Sequence, residues 1–272
     1  MFKNVLVVVG MLFFILPGYS AAENEEDLAK KSQNPVGNMI SVPLEYLHYD
    51  GMPNDSSADA LVAKPVYPVT IGKINLINRF IVPYLGIDGT VQQDLNGEII
   101  PANSVSKSGL GNIQYQGFFT SADPGSVIYG LGPVFEFPTH GSGLGSEKVS
   151  GGLAALALTM PGNWVIGALA QNMWSFAGPS DADKVNKFLF QYFINYNIAN
   201  GWYLTSTPVM TADWEQSSSN RWTIPLGGGI GKLHRFGKLP VDFKLQAFSN
   251  VETPENGPDW SMMFAVKFLF PK

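Results

Sequence analysis

Trp260-Ser261-Met262-Met263-Phe264-Ala265-Val266-Lys267-Phe268-Leu269-Phe270, close to the end of the 272-residue chain, alternates two kinds of side chain. In an extended chain successive side chains point to opposite faces. Trp260, Met262, Phe264, Val266, Phe268 and Phe270 therefore share one side, and Ser261, Ala265 and Lys267 the other, with Met263 and Leu269 as apolar exceptions. The same split recurs upstream. Phe188, Phe190, Tyr192, Ile194 and Tyr196 oppose Lys187, Gln191, Asn195 and Asn197, while Val241, Phe243 and Leu245 oppose Asp242, Lys244 and Gln246. Rings on every second position of many strands would overfill a small barrel, whereas lipid accepts them. The apolar faces are read as outward and the polar faces as inward.

Outward from that stretch the chain resolves into twelve segments of period two: 37–49, 60–71, 74–85, 108–120, 127–137, 148–160, 164–176, 185–197, 202–213, 222–234, 239–248 and 259–270. Segments six, seven and nine alternate poorly, and their faces stay unassigned. The connections at 72–73, 121–126, 161–163, 198–201 and 235–238 are short. Those at 50–59, 86–107, 138–147, 177–184, 215–221 and 249–258 are longer or more polar, and the two kinds alternate in strict order. An even strand count with tight turns at one end and long loops at the other is the layout of an all-β, up-and-down antiparallel transmembrane β-barrel of twelve strands. A secreted β-sandwich with an aromatic core is the competing architecture, and nothing in it requires this alternation. Tyr49, Tyr84, Phe137, Trp164, Phe176, Trp202, Trp222, Trp260 and Phe270 sit near segment ends, as interfacial girdles do.

Composition agrees. The chain is 45% hydrophobic but only 14% charged, against about a quarter in an average soluble chain. Apolar content on this scale excludes disorder, and the absence of Cys excludes a disulfide framework and a zinc–thiolate site. A net charge of -5 argues against nucleic acid as a partner. Lys3, the apolar run Val5 to Leu16 and the small residues Ser20 to Ala22 read as a signal peptide over 1–22. Residues 23–36, with Glu23, Glu25, Glu26 and Asp27, are expected to be an exposed periplasmic lead-in holding a short helical turn that Pro35 ends. The barrel is expected over 37–272.

A charge facing lipid costs about 2–4 kcal/mol at the bilayer midplane, so chemistry belongs in the lumen. Alternation sends Glu45, Lys64, Arg79, Glu136, Lys187, Asp242, Lys244 and Lys267 inward. Glu45 is expected opposite Lys64 with Arg79 beside them, and Asp242 close to Lys267. The cations outnumber the anions five to three in this set, and Arg79, mid-strand, is the first choice for a constriction. Two readings stand side by side: a charge ladder that orients solutes in a pore, and a salt-bridge network that fills a narrow barrel.

Enzymatic and metal readings have weaker support. His140-Gly141-Ser142 pairs a histidine with a serine but brings no third group at a suggestive spacing. His48 and His234 lack companions at metal-ligand spacing, and Asp50, Asn54 and Asp55 match a calcium loop only loosely. Gly227-Gly228-Gly229-Ile230-Gly231-Lys232 meets neither phosphate-loop spacing and reads as a bend or close backbone approach within a strand. No catalytic residue, metal or cofactor is expected.

Several stretches also carry a resemblance: residues 29–44, Gly130-Leu131-Gly132-Pro133-Val134, Trp174-Ser175-Phe176-Ala177-Gly178, and the ending Gly257-Pro258-Asp259-Trp260 with Phe268-Leu269-Phe270-Pro271-Lys272. Over nearly the whole mature chain the sequence resembles the bacterial outer-membrane family named for the meta-pathway of phenol degradation. Its members are regarded as transporter barrels. The resemblance implies a Gram-negative outer membrane and brings no catalytic motif. The expected function is passage or binding of a small solute, hydrophobic or aromatic in character. A closed structural or lipid-binding barrel and a lipid-modifying enzyme are the alternatives. The expected partners are outer-membrane lipid, a small-molecule solute and, through the last strand ending at Phe270, the barrel-assembly machinery.

Overall fold

β-Branched and aromatic residues at alternate positions favour a pleated surface, and turn residues punctuate them at short intervals. The computed structural model describes residues 25–53, 56–87, 92–93, 99–100, 107–141 and 143–270. The expected signal peptide, Asn54 and Asp55 of the calcium candidate, Ser142 of the His–Ser pairing and much of the 86–107 loop lie outside the described residues.

Twelve strands form the wall. They are β1 (Ile40–Met52), β2 (Ser56–Ala63 and Val66–Ile71), β3 (Ile74–Ile87), β4 (Lys107–Leu110 and Ile113–Ser121), β5 (Val127–Phe137) and β6 (Val149–Thr159). After them come β7 (Trp164–Ala177), β8 (Asn186–Asn197), β9 (Trp202–Ser206 and Val209–Asp213), β10 (Trp222–Phe236), β11 (Leu239–Glu252) and β12 (Trp260–Phe270). Each pairs antiparallel with its sequence neighbour, and β1 pairs with β12 from Ile40↔Phe270 to Asp50↔Trp260, which closes the barrel and leaves no edge. A small ladder of Gln92-Gln93 with Ile99-Ile100 stands apart from the wall. Gly72 (φ 60°) and Gly237 (φ 62°) supply the left-handed backbone that two of the tightest turns demand.

The outer face is apolar. Phe80, Tyr129, Leu131, Leu153, Ile194, Leu245 and Phe264 are all exposed there. Aromatics ring both ends, with Trp164 tilted against Tyr196 at 4.7 Å at the short-turn end and Trp214 at 5.6 Å from Trp222 at the other. Tyr49 departs from the expected girdle, because its odd position on β1 turns it into the lumen.

Three features differ from the sequence reading. The 50–59 connection is shorter than expected, since β1 runs to Met52 and β2 starts at Ser56. The poor alternation of β6 and β7 arises because both faces are apolar. Inside, Ile77, Phe118, Val134, Leu156, Leu158, Val165, Leu169 and Phe193 form a buried cluster that fills one side of the lumen. Third, the lead-in is not exposed. Glu25–Ser32 forms a helix, α1, with Leu28, Ala29 and Ser32 buried.

The β9–β10 ladder is interrupted. Trp202 to Thr205 pair with Lys232 to Gly229, and Thr211 and Ala212 with Thr223 and Trp222, in one unbroken register. Between them Ser206 to Met210 face Gly228 to Ile224 without ladder bonds. Pro208 and Pro225 have no N–H to offer. The Thr207 N–H instead donates to Gln246 Oε1 (3.0 Å), and Gln191 Nε2 donates to the Thr207 carbonyl (3.1 Å), so luminal side chains satisfy this part of β9.

Candidate luminal site

Helix α1 lies across the short-turn end. Its acidic first turn, Glu25-Glu26-Asp27, suits the positive end of the helix dipole. Leu28 and Ala29 pack on Leu233, Leu269 and Met39, the apolar inward residues of β10, β12 and the β1 lead-in. These inward apolar positions thus make the seat for the helix. Around them the polar groups are satisfied: Glu25 Oε1 accepts from the Arg235 N–H (3.1 Å), Glu26 Oε1 from the Asn200 N–H (3.3 Å), and Gln33 Nε2 donates to Asn197 Oδ1 (2.8 Å). Lys30 Nζ reaches the Gly162 carbonyl in the β6–β7 turn. Beyond the helix, residues 33–39 turn into the lumen, and Val36 joins the luminal apolar cluster.

Above this plug the lumen keeps a cavity of about 280 Å³. Six of the eight sequence-predicted charges line it: Glu45, Lys64, Arg79, Asp242, Lys244 and Lys267. Glu136 and Lys187 are also buried, but on β5 and β8 outside that lining, Glu136 in register with Gln114 and Ser150, and Lys187 with Met173 and Asp213.

The six form two groups. Lys64 Nζ donates to Glu45 Oε2, and Arg79 and Lys244 lie within electrostatic reach of the same carboxylate. Asp242 Oδ1 accepts from the Tyr203 hydroxyl (2.7 Å), while Oδ2 accepts from Ser32 Oγ (3.2 Å) and lies 3.9 Å from Lys267 Nζ. Lys267 Nζ also donates to the Ser32 carbonyl (2.8 Å), so this second group ties β9, β11 and β12 to the end of α1. Tyr203 lies over Gly231, where an added Cβ would overlap its ring.

Sequence reasoning does not reach Tyr203 or Ser32, because the faces of segment nine stay unassigned and Ser32 falls in the lead-in expected to be exposed. Gly231, in the run expected to mark a close approach within a strand, lies under the Tyr203 ring. The signal available was the odd-position parity of Tyr203 with Thr205 on β9. Of the histidines, His48 accepts or donates at Asp59 Oδ1 (2.9 Å) beside Trp260, and His234 Nδ1 lies 3.4 Å from Glu25 Oε1. His140 Nδ1 contacts the Gly141 carbonyl of its own loop. Asp50 Oδ1 accepts from the Gly51 N–H.

No family model and no curated protein sequence matches the chain. Among solved structures, the crystal structure of an outer membrane channel from Pseudomonas putida F1 is similar at a TM-score of 0.61 and 13% identity, covering 94% of this chain and 99% of that one. The Pseudomonas putida toluene transporter TodX aligns over 94% of this chain and 95% of its own at a TM-score of 0.44 and 9% identity. The β domain of the Bordetella autotransporter BrkA covers 86% and 100% at 0.43 and 10%. At those scores the two looser likenesses carry no argument. The first shows the fold: this chain has the closed twelve-stranded architecture of an outer-membrane barrel.

Proposed function

We propose that the protein is an outer-membrane channel of a Gram-negative bacterium that passes or binds a small solute of hydrophobic or aromatic character, without catalysis. The observation that carries this reading is a closed barrel with an apolar outer wall whose lumen still holds a cavity lined by both charges and apolar side chains. The similar solved structure is itself an outer membrane channel. The short-turn end, with α1, faces the periplasm, and the C-terminal strand ending at Phe270 is the element handed to the barrel-assembly machinery. The closed structural barrel is the second reading, favoured by the luminal apolar cluster and the seated N-terminal segment.

Purified protein in planar bilayers and solute-loaded liposomes separates the two. The channel reading expects unitary conductance and uptake of small aromatic solutes; protein that folds into bilayers and gives neither establishes the closed barrel. Sidedness is read with single cysteines, the native chain having none. Ser218→Cys, in the β9–β10 connection, is expected to label with an impermeant maleimide on intact cells, and Gly125→Cys, in the β4–β5 turn, to label only after permeabilisation. The reverse pattern would invert the orientation.

A further inference from the structure

We infer that the cavity is a binding site for a small carboxylate with an apolar body, held at Arg79 and Lys244. This rests on the reading of the lumen as a solute site and names the class of solute. The first observation is a charge imbalance. Lys64, Arg79, Lys244 and Lys267 line the chamber against Glu45 and Asp242, while Lys31 stands at one rim and the Asp59 carboxylate at the other is taken by Tyr46 and His48. Glu45 is taken by Lys64, and Asp242 by Tyr203, Ser32 and Lys267. Arg79 and Lys244 make no hydrogen bond or ion pair with the described residues, and the Glu45 carboxylate within their electrostatic reach already carries Lys64. Two cations thus face a chamber whose native anions are committed elsewhere. Arginine and lysine in that state are donors without acceptors, and a carboxylate supplies acceptor oxygens for both.

The second observation is the opposite wall. In a twelve-stranded ring, β7 and β8 stand across from β1 and β2. They present buried Leu169 and Phe193 to the cavity, with Gln191 and Asn195 beside them. Inorganic anions gain nothing from that wall. A ring or short chain does, at about 25 cal/mol per Å² of apolar surface removed from water. A chamber of about 280 Å³ lies at the small end of ligand sites and suits a molecule the size of a single substituted ring.

The test uses the full barrel in detergent micelles and three probes: benzoate, the neutral benzyl alcohol, and acetate. Calorimetry or equilibrium dialysis is read against empty micelles. Benzoate is expected to bind more tightly than either of the others. Charge-assisted bonds of this kind make Arg79→Gln and Lys244→Gln each weaken benzoate by roughly tenfold or more, with benzyl alcohol unchanged. Arg79→Lys is expected to recover part of the loss. Heat-modifiable electrophoretic migration of each variant confirms that its barrel is closed. Equal binding of benzoate and benzyl alcohol, or of benzoate and acetate, overturns the proposal, as does a folded Arg79→Gln barrel that binds benzoate like wild type. Wild-type barrels that conduct in bilayers yet show no preference for benzoate sink this inference and leave the channel standing. Benzoate binding without conductance does the opposite.

Discussion

Deleting residues 25–36 is expected to raise the unitary conductance of the barrel severalfold. That segment holds α1 and Val36, and it stands between the luminal cavity and the short-turn end. Its hold combines burial of Leu28, worth about 1.5–3 kcal/mol, with hydrogen bonds to charged groups of about 1.5–3 kcal/mol each. Thermal motion alone would therefore displace it rarely. The deleted protein is expected to remain a closed barrel, because the β1–β12 ladder begins only at Ile40. A second arm keeps the full chain. Gln33→Cys with Asn197→Cys, at positions whose native side chains meet tip to tip at 2.8 Å, is expected to hold conductance at its low value when the two thiols are joined by a short thiol-to-thiol cross-linker. Equal conductance of the wild-type and deleted barrels would show that the segment does not obstruct the passage.

That plug was not legible in the sequence. Glu25, Glu26 and Asp27 mark the stretch as solvent-facing, and a helix this short has no periodicity to reveal its buried side. What seats it, Leu233 and Leu269, belongs to strands more than two hundred residues away. The wall was legible because alternation is local. On β12, lipid on one side and water or charge on the other leave a pattern in eleven consecutive residues. On β6 and β7 the same physics erases the pattern, since Leu156 and Leu169 face a luminal core while Leu153 and Ile166 face lipid. Parity also carried the luminal charges. Glu45 with Lys64, and Asp242 with Lys267, follow from counting along adjacent strands. The connection of that second pair to Tyr203 and Ser32 does not, because it depends on which side of β9 faces inward and on where the N-terminal segment lies.

Replacing Gly231 by Leu is expected to destabilise the barrel by about 3–5 kcal/mol, from overpacking against Tyr203 and loss of a charged hydrogen bond. The Tyr203 ring occupies the space a side chain at 231 would need, and its hydroxyl completes the bonding of Asp242. Pushing the ring away leaves a buried carboxylate short of one donor. The measurement is the urea midpoint of unfolding in lipid vesicles. Gly86→Ala, at a position with no atom within 4 Å of an added Cβ, is the control and is expected to shift stability by no more than about 0.5 kcal/mol. A Gly231→Leu barrel as stable as the control would mean that Tyr203 does not need its place over β10.

The seating of α1 also orders events in time. Its partners lie from 132 to 235 residues further along the chain, at the β6–β7 turn, on β8, β10 and β11, and on the final strand. Contacts of such separation form late, because the closure of long loops must precede them. Lys267 cannot reach Ser32 until β12 has joined the wall. The helix at the beginning of the barrel-forming chain therefore finds its place only after the C-terminal strand has been laid down. A barrel halted before closure would still carry residues 25–39 outside their seat, open to proteases that the finished molecule resists.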